Sequence, residues 1–388
     1  MNGNYKENKY LIRNSGIEIF KIISIFIIVI SHVVQTLSGE SVLRIYSDYI
    51  VPLGIASSDS NVVTLNIMRS FGVLGNAIFF VCSAFFLVEN KKNSRKKAVD
   101  LFFETWFLSV FICLIFILIK GQNIQLKYII KQFMPNFLSN NWYVTCYILF
   151  LLIYPYLNML IVQLNKERHF MIVAVSSVLW IFANFIKKDS FFYSTLILWV
   201  TIYFIVAYLK KYFIDFMNNK KLNLIIFSLG ILMVILEVFV TNYMGLHISF
   251  FNDKVSMWST NCNPFMIAVA ISGLNLFRCI NLKSKYINYI SRLSLLIYLI
   301  HDNELVRIYT RAEIWNKIYN VFGGNSWTHK SVILTIVYSI IFFVITVIIS
   351  SLYKETIQKK LNKIVEKLYD FICRIWGKIA VRLSEDNN

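Results

Sequence analysis

The chain has 388 residues, 57% hydrophobic and 16% aromatic, with a mean hydropathy of +0.60, a formal net charge of +18 and only 4 prolines. This composition excludes a soluble globular domain as the main architecture. The positive charge is scattered between apolar runs with no nucleic-acid recognition motif, so it points to anionic lipid heads or a phosphorylated cytosolic ligand and not to nucleic acid.

Residues 1–16 are polar and read as a cytoplasmic N-terminal segment, and the first apolar run is long enough to span by itself and stay in place. Apolar windows then recur along the chain at lengths that cross about 30 Å of hydrocarbon at about 1.5 Å per residue. Ten spans are expected, at 17–37, 67–89, 101–120, 141–163, 169–186, 191–210, 222–241, 260–280, 289–303 and 330–353. The fold class is therefore all-α, a polytopic bundle of about ten transmembrane helices forming one membrane domain over 17–353. With the N-terminus inside, 26 of the 39 Lys and Arg residues fall on inner segments and 11 on outer ones, which puts both termini in the cytoplasm and the protein in the cell membrane as a multi-pass chain. The tail, 354–388, repeats apolar residues from Ile357 to Ile379 with lysines between them, the pattern of a basic amphipathic helix on the inner surface.

Lys21 and His32 stand out in the first span, since an ionisable group in hydrocarbon is costly unless it has work to do or a partner. They lie eleven residues, or about 16 Å, apart on roughly the same side of the helix, Lys21 toward the cytoplasm and His32 toward the outer half. Lys21 is either a snorkelling anchor or a ligand for an anion. A second histidine, His301, reaches the outer end of the ninth span and is followed at once by Asp302, Asn303 and Glu304. His169, His247 and His329 fall at helix ends or loops and are expected to be solvated. The six cysteines have no metal-ligand spacing and read as packing residues, so no metal is expected. Glu104 lies near the inner edge of the third span, and Glu237 has no evident partner.

These residues bring the chain close to a known pattern. Lys21, ten residues and then His32 resembles the basic-x10-His motif of the acyltransferase-3 family, in which the basic residue is more often arginine. "FFVCSAFFL" (Phe79, Phe80, Ser83, Phe85) is similar to that family's FF-x-x-SGF ending of the second helix, with Ala84 for glycine. Lys92 and Arg95 in "KKNSRKK" resemble its paired arginines, "NNWYVTCYILFLLIYPYLN" its fourth helix, with Trp142, Tyr143, Pro155 and Asn158, and "SLLIYLIH" its late helix ending in histidine. The resemblance covers residues 14 to 350 and implies an integral membrane O-acyltransferase.

The resemblance implies transfer of an acyl group, usually acetyl from acetyl-CoA, to a hydroxyl of a surface glycan or lipid-linked oligosaccharide. Acetyl-CoA is then a substrate and no permanently bound cofactor is expected. His32 and His301 become the catalytic candidates, and a neutral imidazole suits the task because its pKa is near working pH. Whether His32 acts as base or carries the acyl group stays open. Lys21, Lys92, Arg95 and Ser83 are the candidates to hold the anionic donor, and Arg69, Trp142 and Tyr143 those to meet the acceptor. Trp142 and Tyr143 equally fit an interfacial aromatic belt, and Arg69 a snorkelling cation. A glycan transporter or polymerase is the rival class, although the sequence has neither a visible two-half repeat nor an arginine-rich outer loop.

Overall fold

The computed structural model describes residues 14–37, 53–90, 94–121, 124–138, 141–187, 190, 193–322 and 329–367, together with 369, 371 and 374. The helices are, in chain order, α1 (Ser15–Leu37), α2 (Ser60–Leu87), α3 (Ser94–Lys120), α4 (Leu126–Phe133), α5 (Trp142–Gln163), α6 (Lys166–Ile186), α7 (Thr195–Tyr212) and α8 (Lys220–His247). After them come α9 (Pro264–Arg278), α10 (Lys285–Arg292), α11 (Ser294–His301), α12 (Glu313–Phe322) and α13 (His329–Tyr353). Among the described residues there is no strand. Eight helices, α1, α2, α3, α5, α6, α7, α8 and the helix that starts with α13, are long and apolar enough to cross a membrane.

The two remaining expected spans take another form. α9 has only 15 residues, opened by Asn263, whose side chain accepts from the amides of Phe265 and Met266, and by Pro264 at the first helical turn. The ninth run is broken at Leu293 into α10 and α11, of 8 residues each. The last helix does not stop where the tail was expected to begin. It passes through a π turn, Lys354–Gln358, and runs on to Lys367, 39 residues from His329, about 58 Å of helix.

The chain falls into two compact units, Met1–Asn90 with Tyr156–Val347, and Lys91–Pro155 with Ile348–Asn388. In the first unit, α1 and α2 pack with very little between them. A Cβ on Gly72 would lie 2.3 Å from Ser31 Oγ, and one on Gly75 2.8 Å from the Ser24 carbonyl. Close approach lets hydroxyls bond across the pair: Ser24 Oγ donates to the Gly75 carbonyl at 2.7 Å and Ser31 Oγ to the Arg69 carbonyl at 2.6 Å. In hydrocarbon, where burial of apolar surface drives no association between helices, such small-residue contacts and hydrogen bonds are what hold a pair.

The N-terminus of α1 is tied to the α9–α10 connection: the Ser15 amide donates to the Leu282 carbonyl at 2.9 Å, and Ser15 Oγ donates to Asn288 Oδ1 at 2.9 Å. α10 and α11 both pack on α1, and the end of α11 reaches His32 in the C-terminal half of α1. The end of α2 is secured by Asn158, past the proline of α5, whose amide donates to the Leu87 carbonyl at 3.0 Å and whose carbonyl accepts from Tyr203 OH at 2.7 Å. His169, expected in solvent, is fully buried instead, with Nε2 3.1 Å from the Phe204 carbonyl and its ring against Tyr208. It sits one turn into α6, whose first residues pack on α7.

In the second unit, the stretch after α3 is no plain loop. Ser109 Oγ donates to Gln132 Oε1 at 2.6 Å, Trp106 Nε1 to the Phe133 carbonyl at 3.0 Å, and Asn136 Nδ2 to the Phe102 carbonyl at 3.2 Å. The α3 partner moves down the helix as the α4 side advances, so α4 folds back antiparallel along α3 as a short re-entrant helix. Such backbone is tolerated at membrane depth only when it is packed on protein. Glu104 is held in the same unit by Gln358, at 2.5 Å.

Candidate functional site

The site lies in the first unit, where α1, α11 and the π turn Arg307–Ala312 converge. His32 is half-buried and His301 fully buried, and their rings stack with centroids 5.1 Å apart, placing His32 Nδ1 3.0 Å from His301 Nε2. The two histidines that the sequence presents separately are thus in contact.

The hydrogen-bond network assigns the tautomers. His301 Nδ1 is 2.6 Å from the Ile297 carbonyl, which can only accept, so this nitrogen carries the proton and His301 Nε2 carries the lone pair. His32 Nδ1 must then donate to it. The same Nδ1 is 3.2 Å from Asp302 Oδ1, a second acceptor. Both acceptors demand one tautomer of His32, with Nδ1 protonated and Nε2 left with a lone pair. His301 has both nitrogens engaged and no exposed surface.

Arg311 closes the cluster. It is almost wholly buried, its Nε donates to Thr36 Oγ1 at 3.0 Å, and its Nη1 donates to the His301 carbonyl at 3.1 Å while standing 3.9 Å from Asp302 Oδ1. Thr36 Oγ1 in turn donates to the His32 carbonyl at 2.9 Å, and Tyr338 OH donates to the Arg311 carbonyl at 2.9 Å. In the sequence Arg311 stands in a mixed-charge stretch that reads as a solvated loop. The π turn, which packs an extra residue into the helical register, carries it inward. The atoms of His32, His301 and Asp302 lie within 4.8 Å of one another, a spacing compatible with a metal ion. The buried guanidinium beside Asp302 already balances the only anionic ligand, which favours a proton-handling cluster.

One turn further along α1 from His32, Gln35 lines a cavity of about 460 Å³ with Arg69, Val73, Gly54, Asp253, Lys254, Ser256, Ser259 and Thr260. Arg69 lies well inside α2, which begins at Ser60 and not at residue 67, and donates to Ser256 Oγ at 3.2 Å. The chain enters α9 just beyond this wall, where Asn263 Nδ2 donates to the buried Glu237 at 2.6 Å, the partner the sequence did not reveal.

Toward the other end of α1, Lys21 pairs with the buried Glu18 at 3.3 Å and stands 5.9 Å from the Phe79 ring centroid. Ser291 Oγ also donates to Glu18. Ser83 Oγ donates to the Phe79 carbonyl at 2.9 Å, a bond within its own helix. Lys210 and Arg278 approach the Phe85 ring at 5.2 and 5.7 Å, adding two cations to this end. Lys92 lies outside the described residues. Arg95, Trp142 and Tyr143 belong to the second unit: Arg95 is exposed, Trp142 is 37% exposed, and Tyr143 is buried.

The acyltransferase-3 family model, described as an acyltransferase domain, matches residues 14–355 of this chain. No curated protein and no solved structure matches it.

Proposed function

The chain belongs to the acyltransferase-3 family of membrane acyltransferases, and on that footing we propose that it transfers acetyl from acetyl-CoA to a hydroxyl of a cell-surface or lipid-linked polysaccharide. It would do so in the cell membrane with both termini cytoplasmic, the side on which acetyl-CoA is made. The observation that carries the reading is His32, fixed with Nδ1 toward His301 and Asp302, one helical turn from Gln35 in the wall of a polar cavity. Its Nε2 lone pair is left for the acceptor.

In the proposed step, the acceptor hydroxyl loses its proton to His32 Nε2 as its oxygen bonds to the thioester carbonyl carbon. The tetrahedral adduct then collapses, the carbon–sulfur bond breaks, and the imidazolium gives its proton to the departing thiolate. The cavity is of the size that encloses a small ligand, and its amide, hydroxyl, guanidinium, ammonium and carboxylate groups suit a hydroxyl-rich acceptor better than an apolar one. Arg69 is the acceptor-facing cation of this reading. At the other end of α1, Lys21, Lys210 and Arg278 are proposed to meet the phosphates of the donor. Acetyl is supported by the family's usual donor alone.

The test is O-acetyl content of the surface glycan per molecule of membrane-inserted protein, with label supplied as acetyl-CoA. His32→Ala is expected to lose on the order of 10²- to 10⁴-fold in transfer. Unchanged transfer by a normally inserted His32→Ala protein would remove the catalytic assignment. Transfer of no acyl group by the wild-type protein to any glycan would remove the function itself.

A further inference from the structure

We infer that Asp302 and Arg311 are the positioning residues that make His32 a base through Nε2 alone. The inference rests on the acyl-transfer reading above and adds to it the two residues that hold the base in its working form.

A free histidine interconverts between two neutral tautomers, and only one of them leaves Nε2 able to take a proton. His301 favours that tautomer, because its Nδ1 proton is held by the Ile297 carbonyl and its Nε2 accepts from His32 Nδ1, but its imidazole is an uncharged acceptor and does little for the charge that His32 gains in the reaction. Asp302 supplies what the pair lacks, a group that has no proton to give when ionised and that sits 3.2 Å from His32 Nδ1. During the reaction His32 becomes an imidazolium next to that carboxylate, so the same contact stabilises the charge that appears. Such a carboxylate must stay aimed at His32 while only 12% of its side-chain surface reaches solvent.

Arg311 keeps it aimed. Its charge stands 3.9 Å from Asp302 Oδ1 in a site where screening is weak. Its two hydrogen bonds join the elements that must stay in register: Nε to Thr36 on α1, one turn from His32, and Nη1 to the carbonyl of His301 at the end of α11. Asp302 follows His301 directly in the chain, so fixing that carbonyl fixes the origin of the Asp302 side chain. Arg307 stands on the same π turn, its Nη2 3.9 Å from Glu304, and is therefore matched by another carboxylate. The guanidinium itself has 1% of its surface exposed, so it acts through Asp302 and His32 and not on the substrate.

The experiment uses the full chain in lipid nanodiscs with labelled acetyl-CoA and a membrane glycan fraction, and reads kcat and the acceptor KM for each variant. Asp302→Asn is expected to lower kcat on the order of 10²- to 10⁴-fold with the acceptor KM nearly unchanged, because the amide can present N–H to His32 Nδ1 and favour the idle tautomer. His32→Ala combined with Asp302→Asn is expected to be no slower than His32→Ala alone, as for residues acting as one unit. Arg311→Met is expected to follow Asp302→Asn, and Arg311→Lys to regain part of the loss. Should Arg311→Met fail to insert, Thr36→Val, which deletes the bond from Arg311 Nε and the bond to the His32 carbonyl but no charge, is expected to lower kcat about tenfold with KM kept. Wild-type kcat in Asp302→Asn beside an inactive His32→Ala would overturn this inference and leave the acyltransferase reading standing. Additive losses in the double variant would also overturn it, since they would mark a purely structural part.

Discussion

The contact between α1 and α2 offers a strict test of how the fold sets the site, because it can be changed by one methyl group remote from any proton transfer. A Cβ added at Gly72 would lie 2.3 Å from Ser31 Oγ and 2.4 Å from Ser31 Cβ. Carbon contacts normally settle at about 3.5–4.0 Å, so relief requires the helices to part by about 1 Å or more. Rotating the Ser31 hydroxyl does not help, because its Cβ is equally close. Alanine in a helix gains about 1 kcal/mol over glycine, and forced overpacking costs about 1–3 kcal/mol. The net loss is therefore modest, about 1–2 kcal/mol, and the protein should still insert.

Activity should suffer more than stability. Ser31 precedes His32 and its hydroxyl holds the Arg69 carbonyl at 2.6 Å, so the shift moves the base and the cavity wall apart together. A displacement of about 1 Å in a catalytic arrangement costs on the order of 10²-fold in rate. Gly72→Ala is thus expected to lower acyl transfer per inserted molecule by about that factor, with only a small fall in the apparent melting temperature in detergent. Ser31→Gly in the same chain removes the offending Cβ and should restore part of the rate, whereas Ser31→Ala, which keeps that carbon, should not. Full activity in Gly72→Ala, or equal rescue by both second changes, would refute the argument that helix separation positions His32.

Three further outcomes are expected. Glu89, just past α2, has φ +67°, a conformation that suits glycine, so Glu89→Gly should raise the melting temperature by relieving about 1 kcal/mol of strain, less a few tenths for the lost exposed pair with Lys210. A clear drop in melting temperature would contradict this. Asn158→Leu removes the bonds to the Leu87 carbonyl and from Tyr203 OH and should cost about 1–3 kcal/mol, seen as less inserted protein with normal activity in what remains. Reporter fusions to both ends should report from the cytoplasm, and a tail labelled from outside intact cells would reverse the assignment of donor and acceptor sides.

The sequence carried most of the architecture because hydrocarbon imposes a coarse rule, about 20 apolar residues per crossing, that any long run must satisfy. It failed where polar contacts replace that rule. α4 reads as loop because eight residues are too few to span, and only the bonds of Gln132, the Phe133 carbonyl and Asn136 to α3 keep it within the protein. The break at Leu293 is similarly invisible in hydropathy. His32 and Lys21 were legible because an ionisable group inside an apolar run is rare enough to question. Glu18, three residues before Lys21 and at the very edge of the run, drew no question, yet it takes up much of the Lys21 charge.

Asp302 and Arg311 show why the rest of the site was harder to read. They stand in "HDNELVRIYTR", a mixed-charge stretch of the kind that normally marks a solvated loop, and an α-helical register gives no reason to turn Arg311 inward. The π turn at Arg307–Ala312 changes that register, and the reason it persists is visible only in three dimensions. A buried guanidinium is stable there because Thr36, the His301 carbonyl and Asp302 meet it from three directions. The charges after His301 were thus the one available signal. An apolar helix that ends on histidine and runs straight into Asp, Glu, Arg and Arg presents either the rim of a membrane or the wall of a polar site, and burial of its arginine distinguishes the two.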